Sequence, residues 1–192
     1  MAVALVLDFP GGTREQYDEV VERMQLAGHM APGGQVHVAG THDDGWRVID
    51  VWESLEQFER FRDEKIIPIT QAVGLSAPQV QVLEVDDAMP DDGRSPRFAQ
   101  FVLMPGLDRA AFRALHAEVV PGGVRPDGLT FHVNGPAEGG WCVIDGWMSK
   151  EIRDRFMERT RPILERAPLS GPPTIEELQV ERTMAGAATA HA

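Results

Sequence analysis

Two histidines and two aspartates stand at a repeated spacing in this sequence. His37 precedes Asp50 by 13 residues, and His132 precedes Asp145 by the same interval further along. His42–Gly45 (HDDG) and Ala137–Gly140 (AEGG) read as four-residue hairpin loops. Loops of that length set Thr41 opposite Trp46 and Pro136 opposite Trp141, which brings His37 against Asp50 and His132 against Asp145. Directly opposed side chains in an antiparallel pair share a face, with Cβ atoms roughly 4.5–5.5 Å apart. A histidine oriented by a carboxylate becomes more basic, and so suited to take a proton from a phenol or enol near neutral pH. The anion so formed can pass an electron to O₂ without a metal. The same pairing also serves as a structural cross-strand hydrogen bond that satisfies buried polar groups, and its occurrence twice fits either role. A third option is one metal ion shared by both pairs. No His-x-His or His-x₃-His spacing supports it, so no metal is expected.

The strands that carry these pairs are written twice. Gly45–Trp52 (GWRVIDVW) returns as Gly140–Trp147 (GWCVIDGW), an offset of 95 residues. The same offset carries Pro10 to Pro105, His37 to His132, Gly40 to Gly135 and Phe61 to Phe156; near the end of each copy it falls to 94, as from Pro68 to Pro162. A period this long means two copies of one small domain, not a solenoid. In the first copy, Val3–Phe9 is an apolar run of strand length. Tyr17, Val20, Val21 and Met24 then recur at helical spacing, Gln35–Gly40 alternates as a strand, and Trp46–Trp52 is the next strand. Ser54 caps a helix bearing Leu55, Phe58 and Phe61, which Pro68 should end or kink, and Gln79–Val85 is a last strand. The second copy repeats the order from Phe98 to Arg182. Each reads β-α-β-β-α-β, the ferredoxin-like arrangement with helices on one sheet face. The expected class is α+β: two ferredoxin-like units packed sheet to sheet as a pseudo-dimeric barrel. The expected division is residues 1–87, a linker at 88–96 rich in acidic and turn residues, 97–184, and a disordered tail at 185–192.

Alternation then assigns faces. Val36, Val38, Ile49 and Val51 make an aliphatic side suited to the helices; His37, Trp46, Val48, Asp50 and Trp52 make the other. In the second copy His132, Asn134, Val143, Asp145 and Trp147 share that second side. The expectation is that both His–Asp pairs line the space between the sheets as catalytic candidates, with Trp52, Trp147, Asn134, Val48 and Val143 as ligand-binding residues. His29, His42 and His116 read as loop or helix-surface positions.

The formal net charge of −12 argues against nucleic acid or an acidic membrane surface as partner. The single cysteine, Cys142, rules out an internal disulfide framework and suits a reducing compartment. No start resembling a signal peptide and no run of about 18 apolar residues is present. A cytoplasmic protein is expected, a monomer or a further homodimer, whose partner is a small apolar or aromatic molecule.

The β-α-β-β-α-β unit with the run V-x-D-V-W-E-S at Val48–Ser54, leading into a helix with Phe58 and Phe61, resembles the dimeric α+β barrel superfamily. Within it, the likeness is to the antibiotic-biosynthesis-monooxygenase-like domains in a tandem form, over Val3–Arg182. The resemblance implies cofactor-independent oxygenation of an aromatic or polyketide-like molecule, with Trp52, Trp147 and Asn134 able to serve in the pocket and no cofactor. The superfamily's haem-degrading members use an Asn on the first strand and a Trp and His on the second helix. Here those helix positions hold Phe61 and Gln71, and Phe156 with Glu165 or Arg166, and neither first strand has an Asn. The alternative is a non-catalytic, small-ligand-binding or stress-related protein. A cavity holding the His–Asp pairs favours the enzyme; one closed by tryptophan rings favours a packing role.

Overall fold

The computed structural model describes residues 1–186. It forms two compact units, Met1–Val82 with the segment from Leu178 onward, and Leu83–Glu177. The first holds β1 (Val3–Pro10), α1 (Arg14–Met24), β2 (Gly34–His42), β3 (Gly45–Trp52), α2 (Leu55–Phe61), α3 (Ile67–Val73) and β4 (Gln79–Glu84). The second holds β5 (Asp87–Met89), β6 (Phe98–Pro105), α4 (Arg109–Val119), β7 (Leu129–Ala137), β8 (Gly140–Trp147), α5 (Lys150–Leu164) and β9 (Thr174–Gln179), after which β10 (Arg182–Ala185) returns to the first. The class is α+β, with one five-stranded sheet ordered β10-β2-β3-β1-β4 and another ordered β5-β7-β8-β6-β9.

Local chemistry starts each helix where the sequence places it. Thr13 and Gln16 form a reciprocal capping box on α1. Ser54, Asp108 and Ser149 each accept a hydrogen bond from a backbone N–H of the first turn of α2, α4 and α5. Pro68 neither ends nor breaks its helix. A π-turn at Arg62–Ile66 links α2 to α3 just where the proline ring and its missing N–H would disturb the α register.

The strand registers are the expected ones, with tighter loops. His37 pairs with Asp50 and His132 with Asp145, while His42↔Gly45 and Ala137↔Gly140 close two-residue turns. The faces are inverted relative to the sequence reading. Trp46, Val48 and Trp52 pack in one cluster with Tyr17 and Val20 of α1 and Phe58 of α2, so the His–Asp side is the helix side. In the second unit Trp141 and Val143 pack with Phe112 and Leu115 of α4, and Trp147 lies by Ile152 and Phe156 of α5. Each His–Asp pair therefore sits between a sheet and that unit's own helices. Every residue of β3 is buried, so the apolar pattern is strong on both faces and alternation alone has no sign.

The units also differ from the two sequence halves. β5 spans the end of the first expected repeat and the start of the segment read as a linker, and pairs with β7, Ala88 opposite Val133. β10 pairs with β2, Met184 opposite His37, so Ala185 lies in a strand where a disordered tail was expected; residues 187–192 of that tail lie outside the described residues. The repeated glycines Gly40 and Gly135 explain how these edge segments approach. A Cβ on Gly40 would lie 2.1 Å from the Gln179 carbonyl oxygen, and one on Gly135 would lie 1.8 Å from that of Glu84. Both obstacles are backbone, which cannot swing aside. Gly135→Ala is expected to push Glu84–Asp86 off β7 and cost about 1–3 kcal/mol, read as a lowered midpoint in urea unfolding; an unchanged midpoint would contradict the close approach.

Candidate functional site

The two His–Asp pairs share one geometry and differ in everything around it. In both, the histidine Nδ1 lies 2.7 Å from the aspartate Oδ1. A carboxylate only accepts, so Nδ1 carries the hydrogen and Nε2 keeps a lone pair. In the first unit the Tyr17 hydroxyl donates to His37 Nε2 at 2.6 Å, and Trp52 Nε1 donates to Asp50 Oδ2 at 3.4 Å. Burial pushes the Tyr17 hydroxyl far above the ordinary phenol range, with the Asp50 and Asp18 charges adding to it and Arg182 opposing. The phenol stays protonated and remains a donor.

The second unit answers the same carboxylate with a longer network. Gln100 Nε2 donates to Asp145 Oδ2 at 2.9 Å, and Arg153 Nη1 donates to Gln100 Oε1 at 3.0 Å. Arg153 is itself buried, lies 4.6 Å from the Phe98 ring centroid and pairs with Glu177. Beyond the histidine, Asn134 Nδ2 donates to His132 Nε2 at 3.0 Å and to the Asp87 carbonyl at 3.2 Å, while Asn134 Oδ1 accepts from Trp141 Nε1 at 3.0 Å. Trp141 can only donate, which fixes the amide's orientation. With Gln100 on Asp145 Oδ2, the Trp147 indole N–H is left without a partner among the described residues.

These differences fall at matched positions of the repeat. Leu5, Val21, Ala39 and Phe58 of the first copy become Gln100, His116, Asn134 and Arg153 of the second, while Tyr17 becomes Phe112. The two units also differ in the space they enclose. A cavity of about 460 Å³ in the second unit is lined by residues of α4, α5 and the sheet, among them Val102, His116, His132, Val143, Asp145 and Trp147. Its counterpart in the first unit, which includes His37, Asp50, Val48 and Trp52 in its wall, is about 60 Å³.

Of the expected site residues, His132, Asp145, Val143 and Trp147 therefore meet at one cavity. His37, Asp50, Val48 and Trp52 meet at the small one. Asn134 is buried and held in the hydrogen bonds above. His116, read as a surface position, is half-buried in the wall of the large cavity. Its ring lies parallel to that of His132, with centroids 5.2 Å apart and 16° between planes, and it stacks on Phe112 as well. The signal for it was the replacement of Val21 by an ionisable residue on an otherwise apolar helix face. Burial, then the neighbouring His132, lower its pKa below the usual histidine range, against the opposing Asp87 and Asp145. Phe61 and Phe156, at the place of the haem-degrading members' tryptophan, lie against Trp52 and Trp147, and Gln71 is exposed. No group of three or more His, Cys, Asp or Glu residues placed to hold a metal occurs among the described residues, and no helix among them is long and apolar enough to cross a membrane.

No family model and no curated protein sequence matches the chain, but solved structures do. Two named "Putative monooxygenase" come from Fusobacterium nucleatum (TM-score 0.73, 12% identity, 96% of this chain and 94% of that one) and Lactobacillus acidophilus (TM-score 0.68, 10% identity, 96% of each chain). An anthrone oxidase-like protein matches with a TM-score of 0.52 at 18% identity, over 100% of this chain and 96% of that one. At these identities the likeness is one of fold. It bears out the fold expected from the resemblance to antibiotic-biosynthesis-monooxygenase-like domains.

The Tyr17 hydroxyl belongs to the closed first unit. Tyr17→Phe leaves the His37 acceptor buried and unpaired, and is expected to cost about 1–3 kcal/mol, seen as a melting temperature lower by roughly 3–10 °C. Ligand binding in the second unit should be unchanged; loss of that binding would contradict the separation of the two sites.

Proposed function

We propose that this chain is an O₂-dependent oxidase, or internal monooxygenase, of a small flat hydroxylated aromatic molecule held in the cavity of the second unit. The observation that carries this reading is the cavity itself: about 460 Å³, walled mostly by apolar side chains, with Gln100, His116, His132, Asp145 and Glu165 as polar groups in its lining. Concave, mostly apolar sites with a few convergent polar groups are what small-molecule binding requires. Aromatic walls from Trp147, Phe112 and Phe156 suit a flat ring system. The names of the structural neighbours point to the same chemistry.

The reaction balances without an added reductant. A methylene flanked by aromatic rings reacts with O₂ to give a carbonyl and water; the carbon loses four electrons, and O₂ gains them. Anthrone, a tricyclic with such a methylene and an enol tautomer, is the natural first probe. A non-catalytic carrier of a small apolar ligand is the second reading. The fully bonded state of His132 favours it, because both ring nitrogens are already engaged.

Saturable O₂ uptake with anthrone, giving anthraquinone in equal amount, is the outcome expected of the enzyme. Quenching of tryptophan fluorescence without O₂ uptake would leave the carrier. Val102→Trp, which builds an indole into the cavity, is expected to abolish both signals with the melting temperature little changed. Neither signal from the parent chain would remove this cavity as a ligand site.

A further inference from the structure

We propose that His116, not His132, is the base that takes the substrate's proton in the second unit; this rests on the reading of the cavity above. The geometry divides the stacked imidazoles by what their nitrogens already do. His132 gives its Nδ1–H to Asp145 and receives the Asn134 amide at Nε2. Asn134 cannot withdraw, because its other N–H and its oxygen are spent on the Asp87 carbonyl and the Trp141 indole. His132 therefore has no lone pair to offer a ligand. Next to it, His116 lies half-buried in the cavity wall, and among the described residues its ring nitrogens form no hydrogen bond. The Asp145–His132 pair fixes the wall against which His116 stacks, so His132, Asn134 and Gln100 act as positioning residues.

The groups facing His116 are Asp87 on β5, His132 on β7 and Asp145 on β8, with Glu165 after α5 lining the same cavity. Burial and His132 outweigh the carboxylates, so His116 stays neutral, and competent as a base, to lower pH than an ordinary histidine. The substrate's enolic O–H bond breaks as the proton moves to the free His116 nitrogen. The resulting carbanion–enolate gives one electron to O₂, and the radical pair combines to form the C–O bond of a peroxide anion. His116 returns its proton to that peroxide. Loss of the remaining C–H proton with the departing hydroxide then releases water and leaves the carbonyl.

The test compares the parent chain with His116→Phe, which keeps an aromatic ring at the stack, and with His132→Gln. 1,8-Dihydroxyanthrone is bound first without oxygen. The parent chain should show the ligand's anion absorption near neutral pH, with its acid limb below the ordinary histidine range. His116→Phe should bind comparably by tryptophan quenching but hold the ligand neutral. In air, His116→Phe should lose roughly 10²-fold or more in kcat with little change in KM, and recover as rising pH ionises the substrate unaided. His132→Gln should keep turnover within about tenfold. An anion formed equally well by His116→Phe, or lost in His132→Gln alone, overturns the proposal, as does a ligand held neutral by the parent chain. Anion formation without O₂ uptake upholds His116 as the base and sinks the oxidase reading. Absence of ligand binding overturns both.

Discussion

A carboxylate in the middle of a buried central strand must be answered from every side, and the rest of each unit is arranged around that demand. Asp50 and Asp145 each have a residue directly opposite on both neighbouring strands: His37 and Leu5 for the first, His132 and Gln100 for the second. A buried charge left unpaired is far more costly than the net gain from any one hydrogen bond. The histidine supplies one donor in both units. What supplies the second decides what each unit becomes.

In the first unit the second donor is an indole, and the tyrosine of α1 covers the histidine. The result is closed and mostly apolar. In the second, Gln100 takes the carboxylate's other oxygen, and it must then be held in place itself. Arg153 does so, and brings Glu177 and the face of Phe98 with it. One polar substitution on β6 is thus matched by a chain of partners reaching to β9. Loss of the tyrosine hydroxyl at Phe112 leaves the histidine acceptor to Asn134. Around similar backbones and a common His–Asp pair, the first unit encloses about 60 Å³ and the second about 460 Å³.

Much of this was legible in the sequence, in particular ways. The pairing of His37 with Asp50 and of His132 with Asp145 followed from counting back from the turns, because register is a property of loop length. Which face carried the helices did not follow: β3 and β8 are buried on both sides, so apolar residues stand on both faces. Tyr17 and Phe58, reaching onto Trp46 and Trp52, set that sign through tertiary contacts. Asp87–Met89 looked like a linker because a three-residue edge strand with an aspartate carries almost no pattern. His116 was passed over because a histidine at the margin of a helix stripe is ordinary when seen alone. Set beside Val21, it is one of four apolar-to-polar exchanges that converge on one place.

The edge strands carry a consequence for the order in which the protein can be completed. The first sheet begins at Val3, yet its outer strand β10 is Arg182–Ala185, which follows the whole of the second unit in the chain. Its Arg182 guanidinium grips Asp18 of α1 at 2.7–2.8 Å across 164 residues of chain. During synthesis the first unit must therefore wait, with the edge of β2 unpaired, until the second unit has been made. The second unit, continuous from Leu83 to Glu177, can close as soon as it has left the ribosome. Of the two units, the one begun first is thus the one finished last, while the open cavity lies in the unit drawn from one continuous stretch of chain.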